Sequence, residues 1–541
     1  MKFFDPGSGL ENLSGTISDL DCFIHRSLDT GFKTKWSGFW VPPYKYLDYY
    51  ALKVNGSWLN SENLIETGYG QNLIYRYRTS SLKITERIEF LDDAVGFRCQ
   101  IKVENMTDDP KAVRTSLEAG IDIREKSKDI GSDEYSLKNE ENVEVSKNGR
   151  KLVLTGGKLE GKAYIKDHYP GESQRCFVPG EFVKNTEVEP RETESFSFEI
   201  KTGGESHGSL EKTGINYNGP MKDLYQESVR SIENLIYERN GKGIIAGHPW
   251  FQSYWARDTF WTVLGLIDAG RYDLSRQILE NFAEKNLPGK ISLDSGSEEF
   301  PREDTYPLFV IAAEKLREAD EASELIENRC NAAMEMLKLE NGIVVHDEEG
   351  TWMDTLKRSP AVDIQSLWLE AARLRDDSRA KDLEKGLEKF LDEKMVKDSL
   401  EDGSPQAVNF AVPLMFGHID AERAGKYLSR LNGEFTSKYG ARTRSMADPG
   451  YESGGYHTGS VWGLTTCWAA AANARYGNER QALNYLERFS QFLDRDQPGA
   501  LPEVVDAESG DLLGCPEQAW SAGMTVHVLK SFIDSDIGDT S

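Results

Sequence analysis

Up to about residue 210, apolar and polar side chains alternate in short runs. The runs start at Lys35 (KWSGFWV), Asp48 (DYYALKV), Asn72 (NLIYRYR), Leu82 (LKITERIEF), Val95 (VGFRCQIKVEN) and Arg191 (RETESFSFEI). They are rich in β-branched and aromatic residues. A period of two sends neighbouring side chains to opposite faces, so each run predicts a strand. Polar breaks such as NMTDDPK and NGRK separate them. Many antiparallel strands without a helical period predict a β-sandwich over residues 1–210. GGESHGSLEKTG, from Gly203, reads as a linker.

After Gly219 the period becomes helical. MKDLYQESVRSIENLIYER is the first long amphipathic stretch. In DLSRQILENF, Leu274, Ile278 and Phe282 recur one turn apart. WARDTFWTVLGLIDAG, DTYPLFVIAAEKLREA, ADEASELIENRCNAAMEML, AVDIQSLWLEAARL, SRAKDLEKGLEKFL, DAERAGKYLSRL, GSVWGLTTCWAAAANARY, NERQALNYLERFSQFL and PEQAWSAGMTVHVLKSFI follow the same rule. Ser404 is expected to cap a further helix that has Pro405 at its first position. About twelve helices with alternately long and short connections predict six helical hairpins closed into a barrel. The expected fold is therefore multidomain: an antiparallel β-sandwich, then an (α/α)6 barrel over residues 220–541.

The long connections hold most of the chemistry. They are HPWFQSYWARD, EEFPREDTYP, DEEGTWMDTLKRSP, RTRSMADPGYESGGYHTGSVW and QPGALPEVVDAESGDLLGCPEQAW. Short ones such as AGRYD and YGNER are glycine turns. Loops bearing Trp, Tyr, His, Arg and carboxylates at one end of a rigid scaffold are a usual place for a site. In YWARDTF the adjacent Arg257 and Asp258 among aromatic residues suit a sugar: ring faces stack, and charged groups bond hydroxyls. Asp354 in GTWMDT and Glu503 in ALPEVVD are two further acids, as glycoside hydrolysis requires.

Charge narrows the partners. With 90 acidic and 64 basic residues the net charge is −26. Such a surface repels nucleic acid and anionic lipid, but not a neutral polyol. No apolar run reaches the roughly 20 residues of a membrane span, and MKFFDPGSG leads into no apolar signal region. The six cysteines are scattered, with no CxxC. The expectation is a cytoplasmic protein with buried thiols. With no HExxH and no Walker loop, neither a metal nor a nucleotide cofactor is expected.

These motifs carry a resemblance. WARDTF, AGRYDLSRQILENFA, GTWMDT, AVDIQSLW, YGARTRS, GYHTGSVW and GCPEQAWS recur in the order found in the amylo-α-1,6-glucosidase domain of glycogen debranching enzymes, over most of residues 245–535. The helical half also resembles glucoamylases more distantly. The strand-rich half is similar to the β-sandwich ahead of such barrels in character only. Gly463 stands where many members have proline. The chain is too short for the extra glucanotransferase barrel of bifunctional debranching enzymes.

The resemblance implies roles. Asp354 falls on the general acid, which requires a raised pKa; burial beside Trp352 and Met353 would supply it. A helix-capping role for Asp354 is the alternative. Glu503 falls on the general base, with Asp506, Glu508 and Glu517 as rivals. Glu517 is the weakest of these, because an acid in a helix's first turn is explained by the macrodipole. Arg257 and Asp258 correspond to a clamp on the terminal glucose, or else to a salt bridge. Trp250, Phe251, Tyr254 and Trp255 are candidates for the wall of the sugar subsite, though core packing accounts for any one of them. Asp304 corresponds to an aspartate near the sugar, and N-capping explains it equally well. His457 is either beside substrate or bonded to backbone. Trp462 and Trp520 are expected to face the barrel axis. Arg442 either faces the pocket or pairs with one of its acids.

The implied activity is inverting hydrolysis of α-1,6-linked glucose stubs on glycogen or a related α-glucan. Glucoamylase- or trehalase-like bond choice is the alternative. A carbohydrate phosphorylase, or a glucan-binding protein without turnover, keeps the fold but changes the class.

Overall fold

The computed structural model describes residues 1–534 apart from 8, 126–134, 140, 141, 168–174, 211–213, 295–297, 300, 301, 320 and 402. Residues 211–213 of the expected linker, and residues 300 and 301 of the acidic loop, lie outside the described set. The chain divides into two compact units. One comprises Met1–Glu211 with the short segments Tyr237–Arg239 and Asp496–Pro498; the other holds the remainder. No helix among the described residues is long and apolar enough to cross a membrane.

The first unit is built from two antiparallel sheets. Leu73–Arg78, Leu82–Phe90, Gly96–Asn105 and Thr193–Thr202 are consecutive neighbours in one sheet. Lys111–Glu125 and Tyr44–Val54 pair at the centre of the other. Alternation predicts Leu82–Phe90 because Leu82, Ile84, Glu86 and Ile88 all point inward. It misses Lys111–Glu125, whose residues from Thr115 to Ile123 are all buried, so no polar face marks the period. Glu86 is a charge on a core-facing position. It is held by Arg26 at 2.5 Å, the Tyr50 hydroxyl at 2.5 Å and the Tyr77 hydroxyl at 2.7 Å. This pairing is what makes the burial tolerable.

The second unit contains twelve α-helices among its described residues: α1 (Lys222–Asn234), α2 (Ala256–Asp268), α3 (Tyr272–Glu284), α4 (Thr305–Glu318), α5 (Glu324–Glu335), α6 (Val362–Leu374), α7 (Ala380–Leu387), α8 (Ala411–Met415), α9 (Ala421–Glu434), α10 (Gly463–Arg475), α11 (Glu479–Ser490) and α12 (Ala519–His527). The even-numbered helices form an inner ring. α2 packs on α4, α4 on α6, α6 on α8, α8 on α10, α10 on α12, and α12 returns to α2. Sequence distinguishes the rings. Inner α10 buries every residue from Gly463 to Ala474, and its run of small side chains fits between neighbours on all sides. Outer α9 buries only Ala424, Tyr427, Leu428 and Leu431, and α11 only Ala482, Tyr485, Leu486 and Phe489. Both follow the i, i+3, i+4, i+7 stripe of a helix wet on one side.

One predicted helix start is wrong. Ser404 and Pro405 are not helical; a 3₁₀ turn at Val408–Phe410 leads into α8 instead. The Ser404 hydroxyl accepts from the Ser399 N–H at 2.8 Å rather than capping a helix. Gln406 N–H is taken by Asp448 at 2.8 Å, and Ala407 bridges to Arg444. These bonds hold the segment extended where local propensity favoured a cap.

Short backbone pairings tie together the segments that lead into the inner helices. Gly247–His248 pairs with Glu517–Gln518, and Val461–Trp462 with Val504–Val505. The ends carrying positive partial charge are thereby gathered with the chemistry-rich loops.

Candidate active site

The strand Ser253–Trp255 pairs with Lys290–Ser292, and α2 begins immediately after it. Arg257 and Asp258 therefore occupy the first helical turn. They do not form a pair with each other. The Arg257 Nε donates to the Asp304 carboxylate at the start of α4, and a terminal nitrogen reaches the Gly350 carbonyl at 3.5 Å. Asp304 makes no capping bond, so the N-cap explanation gives way to this ion pair. Its other oxygen, Oδ1, is buried without a partner. Asp258 accepts from Gln518 Nε2 at 2.7 Å, just ahead of α12. Burial pushes the Asp258 carboxyl up to about 7; Arg257 opposes the rise and Glu503 adds to it.

Asp354 lies in a turn between Met353 and Thr355, not at a helix end. Trp352 and Met353 are buried, but Asp354 itself is exposed, so the expected burial of this acid is absent. The loop is fixed from beneath. Trp352 Nε1 donates to Asn409 Oδ1 at 2.7 Å, and Asn409 Nδ2 donates to Asp398 at 2.7 Å. The fully buried Arg358 spans Asp398 at 2.6 Å, Asp363 at 2.7 Å and the Thr351 hydroxyl at 3.0 Å.

Glu503 is 3% exposed. Its Oε2 accepts from the Cys515 N–H at 2.9 Å, and its Oε1 from the Tyr456 hydroxyl. Burial raises its pKa; the Tyr456 and Cys515 hydrogen bonds oppose this, and the Asp354 charge reinforces it. Asp354 is thus within electrostatic reach of Glu503. It also acts on Arg257 and Tyr456.

Two of the three rival acids are engaged elsewhere. Glu517 precedes α12 and is buried against the Ser231 hydroxyl at 2.9 Å and His248 Nδ1 at 3.1 Å. Asp506 closes a turn on the Glu508 and Ser509 N–H groups, and Glu508 is exposed.

Aromatic rings connect these acids. Trp352 meets His457, Trp462 and Trp468 edge-on at 5.3, 5.4 and 5.4 Å. His457 stacks on Trp462 at 5.2 Å, Tyr456 meets Trp462 at 4.6 Å, and Trp520 lies 5.7 Å from Trp462. Such contacts hold the rings rigid. His457 Nδ1 shares a hydrogen bond with the Thr355 hydroxyl at 2.7 Å, next to Asp354. Its Nε2 and the Trp520 Nε1 are buried with no partner, as is Gln518 Oε1. Burial, then Arg257 and Arg358, lowers the His457 pKa to about 3, so the ring is neutral.

Three expected residues stand apart. Trp255 is half-buried, with the Lys290 ammonium 4.8 Å from its ring. Trp250 is half-buried, and its backbone N–H lies against the Cys515 thiol. Arg442 is buried and donates to the Thr436 carbonyl and, at 3.2 Å, to the Tyr451 hydroxyl. Neither partner is an acid of the site.

Tyr456, Arg358, Asp363, Asp398, Asn409 and Gln518 escaped the sequence reading. Tyr456 adjoins His457 and Gln518 adjoins Glu517, so adjacency to a candidate was their one signal. Arg358, Asp398 and Asn409 had none. Among the described residues, no group of three or more His, Cys, Asp or Glu is arranged to hold a metal ion.

The family described as Amylo-alpha-1,6-glucosidase has a model that matches residues 225–527. Among solved structures, a bacterial glucoamylase complexed with acarbose is similar, with a TM-score of 0.62 at 13% identity over 97% of this chain and 94% of that one. The GH63 mannosylglycerate hydrolase from Thermus thermophilus in complex with glucose gives a TM-score of 0.47 at 16% identity over 56% of this chain and 99% of that one. No curated protein matches the sequence. The glucoamylase likeness establishes the sandwich-plus-(α/α)6 fold. The family match spans more than half the chain, through every acid and aromatic wall residue just described: the chain belongs to the amylo-α-1,6-glucosidase family of glycoside hydrolases.

Proposed function

We propose that the protein removes single glucose units from α-1,6 branch stubs of glycogen or a related α-glucan by inversion, with Asp354 as general acid and Glu503 as general base. The observation that carries this reading is an exposed carboxylate, Asp354, within electrostatic reach of a buried one, Glu503, beside a set of touching aromatic rings. Glu503 keeps acceptor capacity on both oxygens beyond its two donors, which suits it to orient a water. Asp354 is exposed before substrate arrives. Its exposure leaves the carboxyl open to the glycosidic oxygen of a bound stub. Asp304 Oδ1, Gln518 Oε1, His457 Nε2 and Trp520 Nε1 offer two acceptors, an imidazole nitrogen and a donor for sugar hydroxyls. Asp258 and Arg257 are proposed to fix the terminal ring, and Trp352 and Trp462 to wall it. A cytoplasmic location fits an intracellular glucan store.

The test is glucose release from phosphorylase-limit dextrin, isomaltose, maltose and trehalose, with the anomer followed by proton NMR. Limit dextrin and isomaltose are the expected substrates, and β-glucose the first product. Early α-glucose would indicate retention and overturn the role of Glu503. Asp354→Asn is expected to lose most on poor leaving groups and least on an activated aryl glucoside. Glu503→Gln is expected to lose on all; if Gln at 503 spares the activated glucoside instead, the two roles are exchanged.

A further inference from the structure

The strand-rich unit has a cavity of its own. It is a cleft open to solvent with a volume of about 390 Å3, and its walls include Phe32, Tyr49, Trp58, Asn60, Glu118 and Lys166. Small-ligand pockets run from roughly 300 to 1,000 Å3, so this one suits a compact ligand.

The charges in its wall are matched. Glu118 Oε1 accepts from the Tyr49 hydroxyl at 2.7 Å and from Lys166 at 3.0 Å, and Oε2 accepts from the Tyr164 hydroxyl at 3.0 Å. Deeper in, Arg26 is committed to Glu86 at 2.5 Å. An ionic ligand would have to separate one of these pairs, and an anion would also meet a chain of net charge −26. A purely apolar ligand would strip water from Lys166 and Asn60 without replacing its bonds. A neutral polyol meets both conditions. Its C–H faces lie on rings, and its hydroxyls both donate and accept.

Trp58 marks the entrance. It stands on the short strand Ser57–Trp58 and is 39% exposed. The Lys53 ammonium covers one side of the indole at 4.0 Å. A large, partly exposed ring lining a mostly apolar pocket that also carries a few polar groups is a stacking platform.

We propose that this pocket binds one or two units of a neutral saccharide, at a site separate from the carboxylates of the helical unit. It rests on the proposed function only in the choice of an α-glucan as first probe. The test is affinity electrophoresis of the full chain through glycogen, pullulan or mannan, alongside glucose release from isomaltose. Retardation is expected in at least one polysaccharide. Trp58→Ala and Asn60→Ala are each expected to weaken it about five-fold or more, the order of loss for removing a stacking ring or a hydrogen-bonding group, with glucose release unchanged. Equal retardation of both variants and the unmodified chain, or none in any of the three polysaccharides, would overturn the proposal. Absence of glucose release from every α-glucoside would refute the proposed function alone, since retardation is read independently.

Discussion

At Asp258, burial and the nearby Glu503 hold a proton that an exposed aspartate would have lost. Its ordinary value is 3.8 and its folded value is about 7. Between these limits the native state binds more protons than the unfolded state, so this residue makes stability fall as pH rises from about 4 to about 7. A shift of this size corresponds to a few kcal/mol as an order of magnitude. Asp258→Asn removes the titration. The melting temperature of the variant relative to the unmodified chain is expected to be higher at pH 8 than at pH 5, while activity drops. His457 works in the opposite sense. Its folded value of about 3 lies below the ordinary 6.5, so it makes stability rise across that interval, and His457→Gln is expected to flatten the acid side of the melting profile. The two acids in GTWMDT and ALPEVVD were singled out because their segments stand in a family-like order. Their surroundings were not: nothing local announces that Tyr456 will meet Glu503 across 47 positions.

A wet face made some helices and strands legible by their period, as in the stripe of α9 and the alternation of Leu82–Phe90. Inner α10, buried from Gly463 to Ala474, was legible only as a long run of apolar and small residues. Lys111–Glu125 was missed because burial on both faces erases the pattern, and the start of α8 was misplaced because long-range bonds outweigh a Ser-Pro signal. The loop at residues 351–358 shows the same limit. Its shape depends on Arg358, which touches Thr351, Asp363 and Asp398 from wholly inside the protein. Arg358→Met keeps the bulk but leaves two buried carboxylates unpaired. Breaking a buried pair in this way costs about 3–5 kcal/mol. Denaturant unfolding is expected to report a loss of that size. Any folded fraction is expected to lose kcat as well, because the proposed general acid, Asp354, rides on the loop. Asp363→Asn, which keeps the shape, is expected to lose less.

For the whole helical ring, the decisive contact is between its first and last inner members. A Cβ on Gly265 of α2 would stand 2.1 Å from the Gly523 carbonyl oxygen, and one on Gly523 of α12 would stand 2.4 Å from the Thr262 Cα. Both obstacles are backbone, so neither can swing aside. Alanine is the better helix former by about 1 kcal/mol, yet overpacking costs about 1–3 kcal/mol; with immovable neighbours the second effect wins. Gly523→Ala is expected to lower the melting temperature and raise KM, since α12 must shift and Gln518 with it. This closure also sets an order of events during synthesis. Asp258 emerges from the ribosome some 260 positions before the Gln518 that holds it, and α2 waits equally long for the helix that covers its flank. A half-made chain therefore holds Asp258 without the partner that fixes it. The proposed site is complete only once α12 brings Gln518 against Asp258, so any hydrolysis it performs is expected to begin after the last inner helix has docked.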